Sequence, residues 1–290
     1  MQHVTIPLTI LGALQQACQN LGATDARMLL QHVLNVSHAY LIAHPEQILT
    51  PEQTRSFHLL TSRRAHGEPV AYLIGKREFY SLEFIVTPAV LIPRPETELL
   101  VELALNSIPL DLPCRILDLG TGTGAIALSI AKHRPLASIT AVDVSADAVA
   151  VFKANARQLN VNNVRIIQAD WFNELCGERF DLIVSNPPYV AEGDLHLTQG
   201  DLRFEPRVAL VAEGDGLDCI RSIVASAPVH LAEGGALLLE HGYDQAEACR
   251  QLLSHEGFRE VFSHCDLAGI MRVSGGRLGS FMKEAVKIQI

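Results

Sequence analysis

The hydrophobic positions of the first 80 residues follow a helical period. Apolar side chains recur at this spacing at Leu8, Leu11, Leu14, Ala26, Leu29, Leu30, Val33, Leu34, Phe57, Leu59 and Leu60. Such spacing gives a helix one apolar face, and Thr24-Asp25 and Thr50-Pro51-Glu52 are typical helix starts. We predict a helical domain over residues 1–77 and, because it holds no motif for chemistry, interpret it as a partner-recognition domain.

A linker with a different pattern follows. Over residues 78–93 apolar and polar positions alternate, and the apolar runs 79–86 and 90–92 predict a β-hairpin. Two prolines then stiffen the chain ahead of a helix that starts near Thr97. Three charged side chains in this stretch either cap and solvate the helix or lie at the mouth of a site: Arg94, Glu96 and Glu98.

The remaining part, residues 94–290, alternates short apolar runs with helical patterns. The predicted strands after the first glycine turn are 138–143, 164–169, 180–185, 235–240 and 258–263, and the predicted helices are 146–159, 217–231 and 244–255. Alternation of this kind is typical of a parallel sheet covered by helices on both faces. Right-handed crossovers then bring the carboxyl ends of the strands to one rim, where open α/β sheets bind ligands.

A glycine-rich turn ends the first strand of this part. Its residues are Gly120, Thr121, Gly122, Thr123 and Gly124. Glycine permits positive φ and lets a ligand approach the backbone, but such a turn occurs in both dinucleotide enzymes and methyltransferases. The spacing differs from the Gly-x-Gly-x-x-Gly of dinucleotide binders, and Asp118 would repel a pyrophosphate while attracting the positive end of a zwitterionic ligand.

Polar and aromatic residues follow the next two strands. Asp143 lies 23 positions after Gly120, where a carboxylate can bind a ribose diol, although it could instead cap the following helix. Asp170 can meet an adenine amino group. Trp171 can pack on the adenine ring or serve as a core residue.

The segment Asn186, Pro187, Pro188 and Tyr189 is the strongest signal in the chain. A buried amide needs partners for its donor and its acceptor, and the prolines fix the backbone so that carbonyls point outward. The Asn186 side chain and the Pro187 carbonyl can therefore accept both hydrogens of a planar NH₂ group. Tyr189 offers a face for stacking or packing. A proline-rich turn capped by asparagine is the alternative.

Composition and charge narrow the classes of function. The chain has 290 residues, of which 48% are hydrophobic, so it can bury a full core. Residues 1–80 hold six basic and five acidic side chains, a net charge of +1. Because the net charge of the whole chain is −9, the remaining residues carry −10. This sign disfavours a nucleic-acid partner. The six dispersed cysteines indicate neither disulfides nor a metal site, and we expect a cytoplasmic monomer without a membrane segment.

The motifs together resemble those of class I methyltransferases that use S-adenosylmethionine to modify planar amino nitrogens. Further stretches extend the resemblance over nearly the whole chain to the HemK/PrmC family, at 72–75, 84–86, 91–98, 199–206 and 238–242. The resemblance implies a Rossmann-like α/β domain with a small N-terminal helical domain joined by a β-hairpin. It also implies methylation of the side-chain amide (N5) of the glutamine in the Gly-Gly-Gln motif of peptide chain release factors.

By motif match to that family, the turn Gly120 to Gly124, Asp143, Trp171 and Asn186 would contact the cofactor. Residues 186–189 would hold the glutamine, with Asn186, Pro187 and Tyr189 as catalytic residues. The sequence departs from the family at Ile270-Met271, where a more polar pair is expected, and in the longer tail after Gly279.

Alternatives from other classes stay open. A DNA or RNA amino methyltransferase can use the same Asn-Pro-Pro-Tyr, but it should carry a basic groove. A dehydrogenase is possible on the fold alone, and a non-catalytic S-adenosylmethionine-binding module would not need Asn186.

Overall fold

Two compact units make up the chain in the computed structural model, which describes residues 7–279. The smaller unit contains the residues up to Lys76 together with 195–204, and the larger unit contains the remainder. The sequence-based division at residues 77 and 93 stays a prediction. It differs from these units in that 195–204 pack with the helices of the smaller one.

The smaller unit is helical, as the sequence predicts. Its helices are α1 (Ile10–Ala17), α2 (Ala23–Leu34), α3 (His38–Ala43), α4 (Pro51–Ala65) and α5 (Val70–Ile74). Thr50 and Gln53 form a reciprocal capping box at the start of α4, which satisfies backbone donors that the helix leaves unpaired. Buried apolar side chains such as Leu29, Leu30 and Phe57 form its core.

The segment 195–204 is held in the smaller unit by polar contacts. The Arg64 guanidinium donates to Asp201 at 2.9 Å, and it also pairs with Asp25 at 2.7 Å. The Arg203 side chain donates to the backbone carbonyl of His66 at 2.6 Å. The Arg64–Asp201 and Arg203–His66 contacts join positions 137 residues apart, so no local pattern predicts them.

The hairpin lies earlier than the sequence pattern indicates. Its strands are β1 (Lys76–Phe79) and β2 (Leu82–Ile85), and residues 90–92 form no strand. Tyr80 and Ser81 make the turn with φ of 51° and 60°, a conformation that usually favours Asn-Gly. Here the Glu98 carboxylate accepts from the Tyr80 backbone N–H at 2.8 Å and the Glu78 carboxylate from the Ser81 N–H at 2.7 Å, so side chains support the turn without a glycine.

A mixed β-sheet forms the centre of the larger unit. Its strands are β3 (Cys114–Leu119), β4 (Ala137–Asp143), β5 (Val164–Gln168), β6 (Phe180–Ser185), β9 (Leu231–Glu240), β10 (Phe258–Cys265) and β11 (Met271–Leu278). The order across the sheet is β10-β11-β9-β6-β3-β4-β5. A separate parallel pair, β7 (Val190–Ala191) and β8 (Val211–Ala212), follows the Asn-Pro-Pro-Tyr segment.

Helices cover both faces of this sheet, as predicted. They are α6 (Glu98–Ser107), α7 (Ala125–His133), α8 (Ala146–Gln158), α9 (Asp218–His230) and α10 (Ala246–His255). Side chains from α6, α7 and α8 form one buried cluster with the sheet, and α9 and α10 contribute to a second one. Between residues 7 and 279, none of the helices is long and apolar enough to cross a bilayer.

The expectation of an all-parallel sheet is wrong at one edge. β11 runs antiparallel to β9 and to β10. A side chain on Gly275 would meet Leu238 Cδ2 at 2.6 Å, so glycine lets β11 approach β9 closely. The tail after Gly279 lies outside the described residues.

Candidate active site

A cavity of about 540 Å³ opens at the carboxyl rim of the sheet, beyond the ends of β3, β4 and β6. Pockets for small ligands are typically about 300–1,000 Å³. Seven residues predicted from the sequence line it: Gly120, Gly122, Asp143, Asp170, Trp171, Asn186 and Pro188. The topology thus brings together residues from four separate stretches of sequence.

The glycine turn holds its shape through backbone hydrogen bonds. The N–H groups of Gly120 and Thr121 both donate to the Val142 carbonyl, at 2.9 and 3.0 Å. Gly122 has a φ of 55°, and a Cβ there would meet nothing, so this position opens to the cavity. A Cβ at Gly124 would come within 2.6 Å of Phe152, so that glycine serves packing.

The Asp143 carboxylate connects the glycine turn to the start of the segment that leads into α8 by hydrogen bonds. One carboxylate oxygen accepts from the Gly122 N–H at 2.8 Å and the other from the Ser145 N–H at 2.9 Å. Burial raises the pKa of Asp143, and these backbone bonds oppose that shift. Ser145 caps α8, so the alternative interpretation of Asp143 as the N-cap is wrong. Its contact with a ribose stays a prediction.

Asp118 lies beneath the turn and not on the cavity wall. Its side chain is fully buried, and Oδ2 accepts from the Thr121 hydroxyl at 2.6 Å and from the Ala127 N–H at 3.2 Å. The other oxygen has no hydrogen-bond partner, and burial raises the pKa of Asp118 to about 7. It therefore supports the turn, and a direct contact with a ligand's cation stays a prediction.

Asp170 and Trp171 follow β5 on the far side of the cavity. Trp171 has a φ of 46°, and a Cβ on Gly120 would lie 3.5 Å from its ring. The indole lies over the glycine turn, with part of its surface on the cavity and part against the core of the larger unit. Asp170 is exposed at the cavity wall.

Asn186 follows the end of β6. The preceding Ser185 fixes the strand because its hydroxyl donates to the Leu119 carbonyl at 2.7 Å. The Asn186 amide nitrogen donates to the Thr97 hydroxyl oxygen at 3.3 Å. This contact uses the donor end of the amide and leaves the carbonyl oxygen as the group available for a ligand.

Tyr189 points away from the cavity. Its hydroxyl donates to Glu240 Oε1 at 3.3 Å, and its backbone carbonyl accepts from Gln245 at 3.1 Å. Burial, reinforced by the neighbouring Glu240, raises the pKa of Tyr189. The tyrosine therefore anchors the segment from within, and its predicted role in catalysis, like that of Pro187, is untested.

Four carboxylates give the cavity a negative wall: Asp143, Asp170, Glu213 and Asp218. None of the described residues that line it is lysine, arginine or histidine. Asp218 pairs with Arg221 at 2.7 Å, which offsets part of this charge. Glu213 and Asp218 belong to no motif, so the sequence did not single them out. Such a wall favours a cationic ligand and repels phosphate groups.

The residues present fit S-adenosylmethionine, a cation with an adenosine half. The open backbone at Gly122, the carboxylates and the indole would face its polar, charged and aromatic parts, while apolar residues such as Val142 and Ala169 complete the wall. Fold and site thus define a class I methyltransferase whose cofactor is S-adenosylmethionine.

Two family models match the chain. The PrmC N-terminal domain covers residues 12–75, and the methyltransferase small domain covers residues 96–203. Relatives named release factor glutamine methyltransferase are about 50% identical over most of the chain, so the chain belongs to that family. This confirms the family predicted from the sequence.

Relatives with that name match most of their own length. The enzyme of Bordetella pertussis (strain Tohama I) is 53% identical, with 88% of this chain and 94% of the relative covered. That of Xylella fastidiosa (strain Temecula1) is 49% identical, with 95% and 99% covered. Among solved structures, the T. thermophilus 16S rRNA N2 G1207 methyltransferase in complex with AdoMet and guanosine has a TM-score of 0.51. It is 20% identical, over 70% of this chain and 49% of that chain, and shows the shared fold.

Proposed function

We propose that this protein transfers a methyl group from S-adenosylmethionine to the side-chain amide nitrogen of the glutamine in the Gly-Gly-Gln motif of peptide chain release factors. The observation that carries the proposal is the placement of Asn186. Its carbonyl oxygen is left free at the edge of a cavity suited to a cation, because Thr97 holds the amide nitrogen. The names of relatives about 50% identical over nearly their whole length support the substrate.

The cofactor would be held by the glycine turn, Asp143, Asp170 and Trp171. When bound, it supplies an electrophilic methyl group on a positively charged sulfur. The carboxylates of the wall attract that charge and align the ligand, which accounts for part of the rate enhancement through proximity. Asp118 keeps the turn in shape from below.

Asn186 and Pro187 would hold the incoming carboxamide. An amide nitrogen is a poor nucleophile because its lone pair is delocalised. Two acceptors placed on its hydrogens favour the state in which the nitrogen becomes tetrahedral and positive, and this is electrostatic preorganisation. No general base is needed before the transfer, since the proton becomes acidic only afterwards.

The partner and its recognition are part of the same proposal. We infer that the helical domain, residues 1–77, recognises the release factor, and that the enzyme acts as a cytoplasmic monomer. The acidic cavity wall supports a protein substrate over a phosphate backbone, which the same carboxylates would repel.

The test is a transfer assay with cofactor labelled in the methyl group. Release factor, DNA and RNA are offered separately, beside a release factor whose motif glutamine is replaced by alanine. We expect label in the intact release factor alone. Label only in nucleic acid would favour the alternative exocyclic-amine methyltransferase, and label in the alanine variant would place the modification elsewhere.

A further inference from the structure

A buried glutamine next to the active site has no part in the mechanism above. Gln245 directly precedes α10, and only 8% of its surface is exposed. Its side-chain amide contacts the backbones of three residues that lie far apart in the sequence: Gly242, Tyr189 and Gly216. Because both ends of this buried amide are hydrogen-bonded, it restrains the three backbones relative to one another.

The chemistry of the partners fixes which end of the amide faces which backbone. The Gly242 N–H can only donate, so it requires the carbonyl oxygen of Gln245, which lies 2.9 Å away. The backbone carbonyls of Tyr189 and Gly216 can only accept, so they require the NH₂ group, at 3.1 and 3.4 Å. A flipped amide would lose all three hydrogen bonds, and the orientation of the side chain is therefore determined.

The segment 186–189 depends on such a contact because of its two prolines. A proline has no N–H group with which to bind a neighbouring strand. The start of the segment is fixed by β6 and by the Ser185 hydroxyl, which donates to the Leu119 carbonyl at 2.7 Å. At the end of the segment, Gln245 binds the Tyr189 carbonyl just before β7 begins. The two acceptors proposed for the substrate amide lie between these fixed points.

Gly216 leaves room for this contact. Its φ is 84°, and a Cβ there would lie 2.6 Å from the Tyr189 carbonyl oxygen and 3.1 Å from the Gln245 amide nitrogen. A residue with a side chain at this position would therefore displace the Tyr189 backbone or the Gln245 amide. The glycine and the glutamine are thus two separate features of the chain that depend on the position of one carbonyl.

We propose that Gln245 is a positioning residue for methyl transfer, which fixes the Tyr189 carbonyl and thereby the two acceptors at positions 186 and 187. Gly216 contributes by leaving room for the contact. Both act through the acceptors without touching the substrate. This inference rests on the proposed function, because it concerns the geometry of the same site. A displacement of about 1 Å near the reacting groups can lower a rate about 100-fold, so loss of the contact should affect the rate more than cofactor affinity.

The first test compares a near-isosteric variant with a matched control. Gln245→Met removes both ends of the amide, and we expect kcat with release factor to fall about 10- to 100-fold while cofactor affinity stays within about threefold. Gln158→Met is the control, since Gln158 also donates to a backbone carbonyl, that of Glu83 at 2.8 Å, but lies outside the cavity lining. It should leave kcat unchanged. A Gln245→Met enzyme with kcat within about threefold of the parent would overturn the proposal.

The second test displaces the same carbonyl without replacing the glutamine. Gly216→Ala places a methyl group against the Tyr189 oxygen, whereas Gly234→Ala has a similar φ, 72°, and open space around its Cβ. Both variants carry the strain of positive φ, so both should lower Tm. At equal folded fraction we expect only Gly216→Ala to lower kcat, by about 10-fold or more. Equal kcat values in the two variants would contradict the positioning role.

A third measurement separates this inference from the proposed function. The side-chain amide protons of Asn186 are assigned by NMR from their loss in Asn186→Asp and followed without substrate. Gln245→Met should shift these signals and Gln158→Met should not, whereas unchanged signals in Gln245→Met would count against the proposal. If the parent protein fails to label release factor, the proposed function fails, and this spectrum still tests whether Gln245 positions Asn186.

Discussion

At the residue scale, three carboxylates lie at the carboxyl end of a buried strand or one position before it, and they differ in how their charge is compensated: Asp118, Asp143 and Glu240. Asp143 accepts two backbone N–H groups and lies on the cavity wall. Asp118 and Glu240 each keep one oxygen without a partner, and burial raises the pKa of both to about 7. Asp143, whose charge is compensated, faces the cavity. Asp118 and Glu240 lie behind the cavity wall and support the residues that form it.

Replacing the proposed catalytic amide should affect the rate far more than cofactor affinity. Asn186→Ala removes the acceptor that favours the tetrahedral nitrogen, and the loss of such a group typically costs about 10²–10³ in kcat. Binding of S-adenosylmethionine, measured by calorimetry, should stay within a few-fold. Turnover close to that of the parent protein would refute the assigned role.

Asp118 should make the stability of the protein depend on pH in a definite direction. Its pKa is raised from 3.8 to about 7 in the folded state, so the native protein keeps a proton that the unfolded chain releases. The resulting stability is present below pH 4 and is lost as pH rises through 7. We expect Asp118→Asn to gain Tm relative to the parent protein as pH is raised from 5 to 8. A Tm difference that is the same at every pH would contradict the raised pKa.

At the element scale, two glycines of the five-residue turn meet different requirements, one for ligand access and one for packing. Gly122 has open space where a side chain would project, whereas Gly124 is covered by Phe152 and Leu128. Both have positive φ. Within the motif, Gly122 therefore leaves room for a ligand, and Gly124 leaves room for the side chains of the neighbouring helices.

Alanine substitutions should distinguish those positions. Gly124→Ala adds overpacking of about 1–3 kcal/mol to the strain of positive φ, so its main effect should be a lower Tm. Gly122→Ala meets only the strain, about 1–2 kcal/mol, and its methyl group intrudes on the cavity. It should therefore weaken cofactor binding more than Gly124→Ala does at equal folded fraction. Calorimetry beside thermal unfolding measures both effects, and equal losses of affinity in the two variants would contradict this division.

At the scale of the whole molecule, the helical unit should contribute to substrate selection. If it recognises the release factor, a short peptide that carries Gly-Gly-Gln loses those contacts but keeps those of the active site. We expect KM for the peptide to exceed that of the whole release factor by about 100-fold or more, the equivalent of one or two strong interface contacts. Equal KM values would confine recognition to the catalytic unit.

Much of the fold was predictable because the relevant signals are local. The strand at 180–185 and the five-residue glycine turn are fixed by short apolar runs and by residues that permit positive φ, and the structure has both at those positions. The turn at Tyr80 and Ser81 was not predicted, because two carboxylates, Glu78 and Glu98, stabilise it and no glycine marks it.

The supporting residues of the site were harder to predict. Glu240 has the same local signal as Asp143, a carboxylate that ends an apolar strand, but its hydrogen-bond donor, Tyr189, comes from the segment that follows β6. The same holds for the antiparallel β11, which inserts between strands that precede it. Sequence patterns show which groups are polar at the rim, and tertiary contacts decide which of them face one another.

The negative wall of the cavity has a consequence for turnover. Methyl transfer leaves a neutral thioether in place of the sulfonium. The demethylated cofactor is therefore attracted less strongly to the four carboxylates. S-adenosylmethionine and its demethylated product differ by a single methyl group, which is too small a difference for steric discrimination. An enzyme that distinguishes the two by charge can release the by-product without a gating movement. Added salt should therefore reduce its preference for S-adenosylmethionine over the demethylated product.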